Sequence, residues 1–419
     1  MNKRPQPPRH AWLMLFLAFL ISLTMHLLLF SYSQIKESII LEMHLTYAEA
    51  GFIFSISVFA LVVLRIPWGM LIDRIEVKWA TGLALTLLGV FGVLRSFAVN
   101  FETLLLFQLF LGVGFAAVMP CLPKLVACWF PPERTGFAMG VAISGFAIGD
   151  VVGLSGTPYL LMLLGNWRQV FLVYGLWAFM LIVFWWILSR GLDQDSELGF
   201  THESQNNPVT LKPFVGLLRV KQLWLLTGLY LCAGAIYDTL LIWLPSLLES
   251  EGVSQITAGL LTSMLPLGFL VASFAIGIVS DRAGLRKPFI LVLGLFSGPV
   301  IFAVGTFPPS IVWFVGFVTG FCTVGILTLV LTIPVELQET KASVASAVGL
   351  ITSAGNLGSF IIPPVVGQIK DVTGSFLWAV LLLALLGEFI FVVGLPVAET
   401  GRKGKDKSPR PKHSMHALG

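Results

Sequence analysis

Charge is what this chain has least of. Of its 419 residues only 11% are Asp, Glu, Lys or Arg, while 56% are hydrophobic. A soluble domain carries about 25% charged residues, so water is excluded as the main solvent of this fold. Barrel-like alternation is missing as well. The apolar runs are about 20 residues long and evenly oily, which suits membrane-spanning helices and excludes barrel strands. Cysteine is scarce, with Cys121, Cys128, Cys232 and Cys322 all inside or at the ends of apolar runs. Such cysteines behave as small hydrophobes, and without a CxxC or a Cys/His cluster nothing points to metal or redox chemistry. A Gly-rich loop closing on Lys-Ser/Thr is lacking too, which removes an ATP-driven motor. No local signature of a nucleophile and its base is present. The expectation is a chain with no metal, no cofactor and no nucleic-acid partner, and not an enzyme.

What is there in abundance is a succession of apolar spans. Backbone groups in lipid must be satisfied within a helix or a closed barrel, so the fold class expected is an all-α membrane protein with twelve transmembrane helices. They fall into two six-helix bundles, at 1–189 and 221–397, joined by a polar linker at 190–220. Residues 398–419 are basic and contain Pro and Gly, the composition of a disordered tail. The run AWLMLFLAFLISLTMHLLLF is too long for a signal-peptide core and is read as a retained span. Of the 26 Lys and Arg, all but Lys36, Arg95, Arg168 and Lys370 fall on the side of the two termini. That bias places both termini in the cytoplasm of a multi-pass protein of the plasma or inner membrane.

The two bundles repeat. GMLIDR (Gly69 to Arg74) returns as GIVSDR (Gly277 to Arg282) at an offset of 208, and Gly112 and Gly320 share that offset. Gly140 and Gly149 fall on Gly349 and Gly358 at an offset of 209, as Trp167 falls on Phe376. Parallel repeats of this kind are found in transporters whose substrate site lies near the midplane between the halves.

In the short loops after spans 2 and 8, the pattern GxxxDRxGxRK resembles the signature loop of the major facilitator superfamily. The second copy carries Gly277, Asp281, Arg282, Gly284, Arg286 and Lys287. The first carries Gly69, Asp73 and Arg74 but has Glu76 where the family usually has Gly, and Val77 where it usually has a base. The resemblance implies that this loop is a latch, joining the halves when the cavity opens outward and parting when it opens inward. Physically, the glycines let a helix end lie close to its neighbour, and the aspartate suits a helix N-terminus. The plainer reading is that these charges only fix orientation. LPKLVACWFPPERTGFAMG (from Leu122), PPVVGQIKDVTGSF (from Pro363) and YDTLLIWLP (from Tyr237) are similar to the anion:cation symporter and cyanate-permease branches. That similarity implies a small organic or inorganic anion as substrate.

Ionisable groups inside spans are costly and mark candidate sites. Asp150 in span 5, Asp238 in span 7 and His26 in span 1 are candidates for substrate binding or proton coupling; Glu388 in span 12 is read as structural. Tyr237 and Tyr32 are candidate hydrogen-bonding partners in the cavity. Lys124, in PCLPKL, is either an anion contact from the inner side or a cytoplasmic anchor. Arg65, two turns before Asp73, is assigned to the cytoplasmic gate. Gly145, Gly149 and Gly153 in span 5, with Gly355 and Gly358 in span 11, form seams that permit close helix packing. By resemblance, these are the spans on which the halves rock.

The reading that results is a monomeric secondary transporter in a lipid bilayer, moving a small solute by alternating access with protons as a candidate coupling ion. No arginine lies at a span centre, where a carboxylate substrate would want one. A proton-coupled exporter of neutral or cationic compounds therefore stays open, as does a transporter-like solute sensor.

Overall fold

A computed structural model of the chain describes residues 9–72, 74–189, 216–337, 340 and 344–401. Asp73, most of the linker and most of the tail lie outside the described residues. The first half is α1 (Arg9–Met43), α2 (Tyr47–Ile72), α3 (Val77–Leu94), α4 (Phe101–Trp129), α5 (Pro132–Leu164) and α6 (Trp167–Leu188). The second is α7 (Lys221–Ser250), α8 (Gln255–Thr262), α9 (Met264–Ala283), α10 (Lys287–Val304), α11 (Pro309–Glu336), α12 (Val344–Gly355), α13 (Leu357–Thr373) and α14 (Leu377–Gly394). Together they supply 12 helical spans apolar enough to cross a membrane. Span 8 is α8 followed by α9, and span 11 is α12 followed by α13. The break in span 8, at Ser263, comes three residues before Pro266, whose ring has no N–H for the Thr262 carbonyl.

Local chemistry ends the helices where the apolar runs end. Asn100 and Thr103 form a reciprocal capping box at the start of α4, and Ser254 accepts from Thr257 N–H at the start of α8. Gly165, Gly284 and Gly374 close α5, α9 and α13 with φ of 67°, 68° and 70°, a left-handed turn that glycine adopts freely. Large side chains such as Leu163, Phe296, Trp378 and Leu385 point outward, as a lipid-solvated surface requires.

The repeat seen in the sequence is a repeat of contacts. A side chain added at Gly112 would meet the Ser57 carbonyl, and one at Gly320 the Leu265 carbonyl, again 208 positions on. Gly149 lies against the Leu23 carbonyl and Gly358 against that of Leu231, at offsets of 209 and 208. Gly145, Gly149 and Gly153 seat α5 on α1, at Phe19, Leu23 and Ser31, while Gly355 and Gly358 seat span 11 on α7, at Tyr230 and Leu231. These glycine seams bind each half to itself, while the same two spans meet the opposite half through Leu154 against Gly259 and Pro363 against Gly51.

Between the halves the two membrane faces differ. At the far face, where α1 ends, the halves are pressed together. The Ser33 hydroxyl donates to the carbonyls of Leu241 (2.6 Å) and Ile242 (3.2 Å), and Gln255 Nε2 donates to the Gln34 carbonyl at 2.7 Å. Ser246 bonds Glu37, and the backbone of Gly51 packs on Pro363 as that of Gly259 packs on Leu154. At the terminal face, where α1 begins, a side chain built on Gly69, Gly136, Gly277 or Gly349 would meet no described residue within 4 Å. The protein is closed at its far face and parted at its terminal face.

Candidate functional site

The closed seal ends at mid-membrane on three side chains that join the halves. Asp150 of α5 is 1% exposed; its Oδ1 lies 2.7 Å from His26 Nδ1 on α1, and its Oδ2 accepts from the Tyr237 hydroxyl of α7 at 3.2 Å. The Gly149 seam is what brings α1 close enough, since the His26 Cβ lies beside the space a Gly149 side chain would fill. The imidazole stacks on Phe146 one turn earlier in α5, with ring centroids 4.5 Å apart. Tyr237 is held against Phe269 of α9. Three of the sequence candidates, from both halves, thus form one connected group. A proton gained or lost there changes both the charge of the group and the strength of the bond between halves.

Asp238, beside Tyr237, is half-buried and lies on the side of α7 that faces span 11; Ser359 of α13 stands close to Gly234 on the same face. Asp238 and Arg65 both lie within electrostatic reach of Tyr230, which packs on Gly355. Arg65, placed at the gate by sequence, is half-buried and makes no hydrogen bond or ion pair with a described residue. Its described neighbour, Tyr230, belongs to the opposite half, below the Asp150 group on the parted side. Tyr32 does not enter the cavity: it is fully buried and donates to the Ala50 carbonyl at 2.9 Å, tying α1 to α2. Lys124 donates at 2.9 Å to the carbonyl of Ile72, the last residue of α2. Glu388 packs beside Gly298, away from the Asp150 group.

At the terminal face the second loop closes on its own half. Arg286 bonds Ser280, Asp281 and Glu336, the last at 2.7 Å from α11. Burial opposes its charge, yet the bonds to Glu336 and Asp281 hold its pKa above the ordinary arginine value. Arg282 is exposed, and Gly284 serves as the left-handed cap of α9. Gly69 and Gly277 were expected to admit a close neighbour; among the described residues none is there, as befits a parted face. The start of the tail is a further correction. Glu399 accepts from the backbone N–H of Arg286 (2.8 Å) and Lys287 (3.1 Å) at the start of α10, and Thr400 donates to Glu336 at 2.7 Å. A helix N-terminus offers unpaired N–H groups, and a carboxylate nearby fixes the segment that carries it.

Sequence reasoning missed the residues of the closed face. Lys36, fully buried, donates to the Ser33 carbonyl at 3.0 Å and sits over the Trp243 ring at 5.2 Å. Asp371 reaches the start of α2. Two signals could have found them: a Lys-Glu pair inside the long apolar run of span 1, and a further GxxxD, from Gly367 to Asp371.

Two six-helix bundles in lipid, sealed at one face over a titratable group and parted at the other, define a multi-pass membrane transporter. The sequence profile described as Major Facilitator Superfamily matches residues 14–259 and 247–418, and the chain belongs to that family. It is a transporter and not an enzyme. Among its relatives is a probable sulfoacetate transporter of Cupriavidus necator, 26% identical over 80% of this chain and 81% of that one. Another is a quinolone resistance transporter of Acinetobacter baumannii, 25% identical over 80% and 83%. Among solved structures, a bacterial homologue of the human lysosomal transporter Spinster has the same fold. It has a TM-score of 0.73 at 17% identity, covering 93% of this chain and 96% of the other.

Proposed function

We propose that this chain moves a small organic anion across the inner membrane together with protons. The carrying observation is Asp150, buried at the midplane and shared between His26 of its own half and Tyr237 of the other. While ionised, its carboxylate accepts from both partners and supports the closed far face. Protonation removes an acceptor and weakens the bond to Tyr237, so the far face opens more readily with a proton on board. Asp238, next to Tyr237 on α7, is the second candidate carboxylate. With the basic side of the chain in the cytoplasm, the parted face is the inner one, and the cavity here opens inward.

Two observations favour an anion. The similarity to a sulfoacetate transporter is one. The other is Arg65, a half-buried cation on the parted side with no hydrogen-bonded partner among the described residues. A guanidinium in that position attracts a carboxylate or sulfonate and repels a cation. The similarity to a quinolone transporter is the observation behind a second reading, proton-driven export. Proteoliposomes loaded with a pH-sensitive dye separate the two. Anion symport requires proton entry on adding sulfoacetate or an aldarate, and Arg65→Gln should raise the KM for that anion about tenfold. Proton flux evoked by a fluoroquinolone, with none evoked by any anion, would establish export instead.

A further inference from the structure

The seal at the far face contains one clamp that the rest of the molecule does not need. Asp371, at the end of α13 in the second half, reaches across to the start of α2 in the first. Its Oδ1 accepts from Tyr47 N–H at 2.9 Å and its Oδ2 from Ala48 N–H at 2.8 Å. The approach is possible because Gly367, one turn earlier, lies flat against the Tyr47 backbone, and Gly51 lies against Pro363. Helix α2 is nonetheless capped without Asp371. Thr46 Oγ1 accepts from Glu49 N–H at 3.1 Å, and Glu49 Oε2 accepts from Thr46 N–H at 2.8 Å, a complete capping box. The two Asp371 bonds are therefore additional to the folding of α2, and they exist only while the halves touch at this face.

The pseudo-symmetric seam sharpens the point. Gly259 lies 208 positions after Gly51 and packs on Leu154 as Gly51 packs on Pro363. At the position there that corresponds to Asp371 stands Met162, 70% exposed, which can cap nothing. One of two equivalent seams is clamped by a carboxylate, and the other by close packing and the neutral Gln255–Gln34 bond.

We propose that Asp371 is a state-specific positioning residue, an outer clamp that sets how often the far face opens during transport. It belongs to the conformational cycle and touches neither substrate nor the Asp150 group. A carboxylate at a helix N-terminus, lost whenever the face opens, biases the equilibrium toward the closed form. Removing it should raise the ratio of open to closed far face about fivefold.

The experiment is a spin-label distance measurement on the full chain in nanodiscs, with the four native cysteines replaced. Labels go on Val99→Cys and Phe307→Cys, exposed far-face positions in opposite halves. The unaltered background should show mainly the short distance. Asp371→Asn should transfer population to a longer one, and Asp371→Glu should restore part of the short component. Glu49→Gln is the discriminating control, because it weakens the cap of α2 in both states alike and should leave the distribution unchanged. The proposal is overturned if Asp371→Asn leaves the populations as they were. It is equally overturned if Glu49→Gln shifts them as far as Asp371→Asn does. Asp371→Ser, which keeps a capping oxygen without the charge, should lie between the extremes, and this readout does not depend on which solute is carried.

Discussion

The far face and the terminal face are built from different kinds of contact. At the far face the contacts run between the halves, mostly backbone against backbone and side chain to backbone. Ser33 on Leu241, Gln255 on Gln34 and Gly51 on Pro363 need the two surfaces to match within tenths of an ångström. At the terminal face the strong charges are turned inward on one half, with Arg286 shared among Ser280, Asp281 and Glu336. A face built on fitted surfaces shuts only in one register. One built on long charged side chains can exchange partners as it opens and closes. The comparison teaches that charge-counting finds the second kind of gate and overlooks the first.

The sharpest way to break the comparison is to remove the group beneath the seal. Asp150→Asn keeps the shape and a hydrogen-bonding atom for Tyr237 but cannot exchange a proton. Uphill uptake in proteoliposomes should fall by about a hundredfold, while exchange of substrate at equal concentrations survives. In the unaltered protein, acidifying the far side should accelerate uptake; in Asp150→Asn that acceleration should vanish. Retention of pH-driven uptake would remove Asp150 from the coupling role.

A smaller effect is expected at the seams. An alanine at Gly51 would place its Cβ 2.7 Å from the Pro363 carbonyl, and Gly259→Ala would meet Leu154. Overpacking of this kind costs about 1–3 kcal/mol, so each should slow transport about tenfold and lengthen the Val99–Phe307 distance. Gly112→Ala and Gly320→Ala make comparable collisions within one half. They should lower the melting temperature, again by about 1–3 kcal/mol of stability, without changing that distance. If they change it, the division between state contacts and folding contacts fails. The smallest effect belongs to Glu399→Gln. It removes a charge from the start of α10 and should cost about 0.5–1 kcal/mol, read as faster amide exchange in the first turn of α10 alone.

Much of the fold was legible in the sequence because a bilayer constrains it so heavily. Twelve apolar runs, the basic bias and the repeated GxxxD loops follow from rules that act on single residues or short windows. Asp150 and His26 were visible for the same reason: an ionisable group in an oily run stands out wherever its partner is. Their pairing was not visible, because it depends on Gly149 bringing α5 against α1 across 124 positions of chain. The glycine seams were legible as seams, but which helix each faced was not, since a GxxxG pattern carries no address. Asp371 and Glu399 escaped for a different reason. Both sit at span ends, where an acid is ordinary, and only the N–H groups they meet distinguish them from solvated charges.

The breaks at Ser263 and Asn356 have a mechanical consequence. Spans 8 and 11 are each jointed near their middles, whereas the corresponding spans 2 and 5 are single helices, Tyr47–Ile72 and Pro132–Leu164. A jointed strut bends under load and an unbroken one transmits it. When the bundles rock, the first half should swing as a rigid lever while the second flexes at two elbows. In the proposed coupling, work done by a proton at Asp150, on the stiff lever, would then be delivered to the compliant side. Two architecturally matched halves would make unequal contributions to one stroke.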